Sequence, residues 1–495
     1  MDSLKSNYDV IIVGSGPGGS TLAHGLAQRG GDILLLEEGD FLAPDPSRGE
    51  AIGIYMGDYR VRGQPPARFI GGDSKFYGAA LYRLRESDFR ATQTENGESP
   101  AWPISYSELE PYYGEAERLY SVHGSAVGDP SEPPRSSPFP HGPVAHAPLV
   151  STLVERLRAQ GLPVSSIPKA VDANKCVLCP TCDGYYCQRD AKMDAEVAAL
   201  RPALRTGKVQ LLTRTRCLKV LTTPDGRRAS GVLIQQGGEQ RTLHAGVVVL
   251  SAGVMQSPLT LWRSRTDAHP NGLGNTSGLM GRNLAGHTSG MLFPISRRLS
   301  KVPPMHQKTF AINAFYESSP DWPYPTGVIQ ASGQLPLWKE VPGLLRPFVR
   351  FIAKRSLTCF LMVETVGTPE SGLTFRGEDI VRVRHPKPSY QTYARLRRLA
   401  TDIFRQAGYW VLSPARPMAM WHPVGTLRFG ADPATSVLDP FCRVHGMDNL
   451  YVVDSCFLPS AGAVNTSLTV MAMALRVADV IARASLPATA ASTSA

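Results

Sequence analysis

The first apolar run of the chain, "YDVIIVG" at residues 8–14, is short and unbroken, as a strand buried on both faces would be. A glycine turn, "SGPGG", follows it, then "STLAHGLAQRG" with helical spacing, then a second apolar run, "DILLLEE". The pattern predicts a βαβ unit at the start. Further on, "VQLLTRTRCLKVLTT", "ASGVLIQ" and "AGVVVLSAGV" predict short strands separated by turn residues, and "QSPLTLWRS" a helix. From about 291 to 415 the character changes. Alternating strands such as "LTCFLMVETVG" and "DIVRVRH" precede the helical "YQTYARLRRLATDIFRQAG". The end returns to the earlier style, with "NLYVVDSCFLPS" and a closing helix, "TVMAMALRVADVIARA". The expected unit at the start is therefore interrupted by insertions, and residues 487–495 are expected to form a disordered tail.

One segment, "LLRPFVRFIAKR", mixes Phe348, Phe351 and Ile352 with Arg346, Arg350, Lys354 and Arg355. A basic amphipathic segment of this kind can lie at a lipid surface. Its short length and Pro347 favour a surface helix packed on the domain, so membrane contact is not expected.

Composition narrows the class. With 495 residues, 42% of them hydrophobic, the chain is long enough to bury a large core without metal or disulfide staples. No run of about 18 apolar residues suggests a membrane span, and the N-terminal stretch carries no signal-peptide pattern, so a cytoplasmic location is expected. The net charge of +10 is spread along the chain and accompanies no nucleic-acid-binding motif.

Gly14, Gly16 and Gly19 fit G-x-G-x-x-G between the first strand and the helix. Glycines so placed make a tight turn, let a pyrophosphate approach the backbone and pack helix on strand, while the helix N-terminus offers free N–H groups to phosphate. Glu37 or Glu38, at the end of the second strand, stands where an acid would bind a ribose hydroxyl. The stretch "KCVLCPTCDGYYC" gathers Cys176, Cys179, Cys182 and Cys187. Its spacing suits thiolate ligation of an iron–sulfur cluster or of zinc, and equally metal-free thiols or disulfides closing a loop.

Seven ordered motifs carry a wider resemblance: "VIIVGSGPGGSTLAHGLA", "RFIGGDSKFYGAALYRLRESDF", "WPISYSELEPYYGEAERLY", "VVVLSAGVMQSP", "MGRNLAGH", "HPVGTLRFGADPATSVLD" and "NLYVVDSCFLPSAGAVNTSLTVMAMALR". In this order they resemble the glucose–methanol–choline (GMC) family of FAD-dependent oxidoreductases over nearly the whole chain. The resemblance implies an α/β fold: a Rossmann-like FAD-binding domain from 1–95, 190–290 and 416–486, with an interleaved α+β substrate domain on an antiparallel sheet. That second domain would comprise 96–189 and 291–415 and include the cysteine-rich segment 176–187.

The resemblance also implies roles. Gly14, Gly16 and Gly19 would meet the pyrophosphate of FAD, Glu37 the adenosine ribose, Gly71 and Gly72 the cofactor's flank, and Tyr77 and Gly78 the flavin ring. Cys217, Ala252 and Gly253 would line the adenine end, Asp454 and Ser455 the ribityl or phosphate part, and Thr466 and Ser467 the start of a helix beneath the flavin. Asp73 and Lys75 depart from the pattern, standing where many relatives have small polar or apolar residues.

The implied chemistry is oxidation of an alcohol to a carbonyl. Hydride leaves a carbinol carbon only as its hydroxyl loses a proton, so a base must face the flavin. His422, in "MWHPVGTLRFG", occupies the family's catalytic position, and Asn465, in "AVNTSL", the second position, where an amide can donate to the developing oxyanion. Read from its residue type alone, Asn465 is also a helix N-cap. His287 falls in a motif expected to be structural, and His306 and Gln307 in the substrate part. The stretch "CDGYYCQRDAKMDA" resembles bacterial members that oxidise a ring secondary hydroxyl of sugars and glycosides, and aminoglycoside-type sugar oxidases. Expected partners are a hydroxylated small molecule and either oxygen or an external electron carrier. The alternatives are a non-redox lyase on the same fold, and a dehydrogenase that passes electrons through an iron–sulfur cluster.

Overall fold

The computed structural model describes residues 4–45, 47, 54–56, 68–177, 179, 182–297, 308–332, 338 and 341–486. His306, Gln307 and the expected tail lie outside them. At the start, β1 (Asn7–Val13), α1 (Pro17–Ala27) and β2 (Ile33–Leu36) form the expected unit. β1 lies between β2 and a long strand, β6, in parallel register, Val10 standing opposite both Ile33 and Val247. Covered on both faces, these strands need apolar residues at nearly every position, which is why the sequence shows runs and not alternation. Pro17 opens α1, where its fixed φ suits the first turn and its missing N–H costs nothing.

The run at 209–223 is two strands and not one. β3 (Val209–Leu212) continues the parallel set beside β2. β4 (Thr215–Thr222) turns into an antiparallel meander with β5 (Ala229–Gln236) and β6 (Glu239–Leu250). Just before β4, Arg214 has φ 52°, a left-handed conformation that ends an extended run. The seven described strands of this sheet run β3-β2-β1-β6-β5-β4, with Leu450–Val452 added in parallel to the end of β6. From β6 the chain enters α2 (Gly253–Arg263). The closing helix Ser467–Ser485 packs on α1, and Gly25 makes that approach possible: a Cβ there would lie 2.9 Å from the Ala478 methyl.

A second sheet is built from β7 (Ala285–Ser296), β8 (Phe310–Ile312), β9 (Val328–Ser332), β10 (Thr358–Thr365), β11 (Tyr409–Leu412) and β12 (Ala419–Val424). Its order is β11-β7-β10-β9-β8 with Ser165–Ser166 beyond, antiparallel throughout, and β12 pairs with the start of β7. The mixed α/β architecture with an antiparallel second sheet is the fold expected from the motif order. Between β9 and β10 lies α3 (Arg346–Ala353), and after β10 comes α4 (Tyr390–Gln406), which covers the sheet with Tyr393, Leu396, Ala400, Ile403 and Phe404. α3 is packed less than expected: none of its residues is fully buried, Val349, Ile352 and Ala353 are half-buried, and Phe348 and Phe351 are exposed. Among the described residues no helix is long and apolar enough to cross a membrane.

Candidate active site

The antiparallel register sets the pair at the centre of the site. His422 on β12 and His287 on β7 meet across a register shift between Ala285 and His287, where Gly286 lets the two strands approach. A Cβ on Gly286 would lie 2.8 Å from the Trp421 carbonyl oxygen. His422 itself has φ 49°, unusual for a non-glycine residue, and backbone held off its preferred geometry is a feature of functional sites.

The hydrogen bonds fix the tautomers. His287 Nε2 faces the carbonyl oxygen of Ala461 at 3.4 Å, so that nitrogen carries the proton and donates. His287 Nδ1 must then accept, and its partner 2.9 Å away is His422 Nδ1, which is the donor. This leaves Nε2 of His422 as a lone pair, 3.4 Å from Asn465 Nδ2. Burial pushes His287 down to about 4. Burial, then the neighbouring His287 and Lys308, push His422 down to about 3. Both rings are neutral at physiological pH, so His422 is a free base.

Asn465 is not the helix cap expected from its residue type. Thr466 occupies that position, and the closing helix begins at Ser467. The Asn465 amide is turned toward His422, and its Oδ1 is buried without a hydrogen-bond partner. The motif around His287 also led it to be set aside as structural. The missing signal was the register that brings strands 135 residues apart into contact.

Two further charged groups close the site. Lys308 Nζ donates to both oxygens of Asp183, at 3.1 and 2.9 Å, and Ser332 Oγ donates to the same carboxylate at 2.8 Å. The pair is buried on Gly78, where a Cβ would lie 1.9 Å from Asp183 Oδ1 and 2.4 Å from Lys308 Nζ. Asp183 sits inside the cysteine-rich stretch, which could have drawn attention to it; nothing in the sequence marked Lys308.

Several of the expected cofactor residues, Gly14, Gly16, Gly19, Glu37, Gly71 and Gly72, gather about the N-terminus of α1. Gly14 is wedged under Ser251, whose carbonyl oxygen would lie 2.4 Å from a Cβ, and Gly19 is equally pressed against the carbonyl of Gly14. A Cβ on Gly16, by contrast, would meet nothing within 4 Å, so the first turn of α1 opens toward whatever approaches it. Gly72 faces Gly16, and Gly71 N–H donates to Ser15 Oγ at 3.1 Å. The Asp454 carboxylate accepts from Gly253 N–H at 2.9 Å and Cys456 N–H at 2.8 Å, which ties α2 to the turn at Ser455. Glu37 is held by Ser15, through both its amide and its hydroxyl, and by the amide of Gly39. Cys217 is buried in β4, and burial pushes its thiol up to about 12. A backbone cradle of glycines at a helix N-terminus fits a dinucleotide pyrophosphate.

Lys75, one of the departures, runs beneath Gly71, where a Cβ would lie 3.1 Å from its Cε, and is fully buried against Asp194, 3.1 Å away, and Glu196. Tyr77 donates to the Met193 carbonyl at 2.5 Å.

The metal expectation is not met. Among the described residues no group of three or more His, Cys, Asp or Glu side chains is arranged to hold a metal, so neither an iron–sulfur cluster nor zinc at Cys176, Cys179, Cys182 and Cys187 is supported. Ammonium groups organise the segment instead. Lys192 directs its Nζ to the carbonyls of Lys75, Tyr77, Cys182 and Tyr185, and Lys308 takes Asp183.

Fold and site together combine a glycine turn of the dinucleotide-binding type with a buried pair of neutral histidines, a setting suited to an oxidoreductase. The chain belongs to the GMC oxidoreductase family, whose N-terminal and C-terminal profiles match residues 8–289 and 399–474. It is 31% identical to paromamine 6'-oxidase of Streptomyces fradiae, over 96% of this chain and 91% of the relative. It is 30% identical to 6'''-hydroxyparomomycin C oxidase of Streptomyces lividus, over 96% and 91%. Its fold matches pyridoxine 4-oxidase from Mesorbium loti with a TM-score of 0.63 at 20% identity, covering 96% of this chain and 99% of that one.

Proposed function

We propose that the protein uses FAD to oxidise an alcohol group of a sugar, glycoside or polyol-like small molecule, with amine-bearing glycosides the first class to try. The observation that carries the reading is the ordered chain from the Ala461 carbonyl through His287 to His422, which leaves one imidazole lone pair beside one amide donor. In this reading the backbone around Gly14, Gly16 and Gly19, flanked by Gly71, Gly72, Ala252 and Gly253, holds the cofactor. A bound flavin would supply the hydride acceptor.

The protein's own part is proton chemistry. His422 Nε2 takes the hydroxyl proton, which makes the carbinol hydride labile. The charge then left on the imidazole is shared through Nδ1–H with His287, and the Asn465 amide donates to the oxygen as negative charge builds there. The similarity to two aminoglycoside oxidases, each at 30% identity or above over nearly the full chain, supports a hydroxyl-rich, amine-bearing substrate.

The test is anaerobic bleaching of the flavin near ~450 nm, the band that substrate reduction removes, against amino-glycosides, neutral sugars and simple polyols. Bleaching by one of these classes is expected; none from any of them overturns the proposal. His422→Ala should keep FAD and slow bleaching by about 10²- to 10⁴-fold, the range for a positioned base. Normal reduction by that variant would assign the base elsewhere. Reoxidation by oxygen set against reoxidation by dyes then assigns the electron acceptor.

A further inference from the structure

The segment that links β9 to β10 carries an apolar face that the domain leaves uncovered. A short turn, Gly343–Leu345, leads into α3, and no residue of either is buried. Leu344 is 97% exposed and Phe348 66%; single exposed apolar residues need no explanation, but these stand together in one short segment. Leu345 and Phe351 are exposed as well.

Their spacing gives the exposure a direction. Positions 344, 345, 348 and 351 fall on one side of a helix, with half-buried Ile352 at its edge, whereas Arg346, Arg350 and Lys354 fall on the opposite side at intervals of four. No acidic residue occurs from 341 to 356. Arg355, four residues after Phe351 and so on the same side, lies over the Phe351 ring at 3.7 Å and donates to the Phe351 carbonyl, which puts one cation at the C-terminal end of the apolar face. Trp338, half-buried, precedes the turn.

A protein partner would be met by an apolar patch with a rim of mixed charge. A protruding apolar tip backed only by cations matches an anionic lipid surface, where apolar side chains enter the acyl boundary and long basic ones reach back to the headgroups. We propose that residues 341–355 form a monotopic docking element that seats the enzyme on an anionic membrane. The chain's net charge of +10 works in the same direction, and a cytoplasmic leaflet is the anionic one. The element is rooted close to the chemistry: Ser332, the last residue of β9, holds Asp183 at 2.8 Å.

The experiment uses the full-length flavin-loaded protein and sedimentation with vesicles of phosphatidylcholine alone, or of phosphatidylcholine mixed with phosphatidylglycerol. Binding is expected to the mixed vesicles and not to the neutral ones, and to weaken in high salt. Leu344→Ser with Phe348→Ser, and separately Arg350→Gln with Lys354→Gln, should each weaken it roughly tenfold or more. Because these side chains are exposed, both variants should keep wild-type flavin absorbance and melting temperature. No binding to the mixed vesicles overturns the proposal. Binding that survives Leu344→Ser with Phe348→Ser also overturns it, since the attraction would then be general charge. So does concentration-dependent self-association that this variant abolishes without any vesicle binding, because a second copy would then cover the face. None of these outcomes depends on which substrate the enzyme oxidises.

Discussion

His287 does for His422 what no sequence position could announce: it accepts from Nδ1 and so dictates which nitrogen keeps the lone pair, the one that faces the substrate in the proposed mechanism. As a positioning residue it should affect the rate of flavin reduction more than substrate binding. His287→Leu is expected to slow reduction by about 10- to 100-fold, less than loss of the base itself, with half-saturation little changed. His287→Gln, which can still accept from His422 and donate to Ala461, should recover part of that loss. An equal loss in both variants would point to a packing role only. The same pair sets a pH dependence of stability. Both folded pKa values, about 4 and about 3, lie below the 6.5 of an ordinary histidine. The stability they contribute is present above 6.5, and it is lost as pH falls because the unfolded chain takes up protons that the folded one refuses. Each contributes a slope approaching ~1.4 kcal/mol per pH unit. Thermal melts between pH 7 and 4 should therefore steepen toward acid, and less so in His287→Leu. His422, Asn465 and the glycines at 14, 16 and 19 could be proposed from sequence because their motifs travel with them. His287, Lys308 and Asp183 could not, because only the folded register brings them to the site.

At the scale of elements, β10 reaches behind the site. Its Glu364 lines a small cavity with Asp88, Ser99, Tyr316 and the backbone of Gly462 and Ala463, just ahead of Asn465. Tyr316 donates to Asp88 and accepts from Ala463 N–H at 3.1 Å, pinning that loop. Burial, with the Asp88 charge beside it, pushes Glu364 up to about 7, while hydrogen bonds from Ser99 and from the backbone of Gly462 and Ala461 oppose the rise. A carboxyl raised from 4.5 in this way contributes stability below 4.5 that is lost as pH climbs through 7. Glu364→Gln removes the penalty of a charged, confined carboxylate, so it should stabilise the protein at pH 8 by on the order of 2 kcal/mol and by much less at pH 5. Melts of the two proteins at both pH values check this, and an equal effect at the two would place the Glu364 pKa outside that window. Elements were legible where burial was uniform, as in β1, β2 and the closing helix. They were misread where neighbours decided: the break at Arg214, the cap at Thr466, and α3, whose amphipathic pattern says that one face is apolar and not what covers it.

Over the whole molecule, the cysteine-rich segment joins the parallel sheet's cradle to the second sheet, and it does so with buried charge. Lys192 binds the segment's carbonyls to those of Lys75 and Tyr77, next to the Gly71–Gly72 turn, while Asp183 reaches Lys308 and Ser332 on the substrate side. Clustered thiols at ligand-like spacing suggested a metal clasp, because spacing cannot tell a ligand from a residue that merely flanks one. If ion pairs do the clasping, two outcomes follow. Purified protein should contain no stoichiometric iron, sulfide or zinc, and a chelator should leave its melting temperature unchanged. Asp183→Asn, which strands the Lys308 ammonium in a buried setting, should cost about 3–5 kcal/mol, and adding Lys308→Met should return much of it, since breaking one half of a buried pair is worse than removing both. A double-mutant cycle read by denaturant midpoint measures that return. A cycle with no coupling would mean that the segment is held by something other than this pair, and metal analysis of the same samples would say whether that something is a cluster.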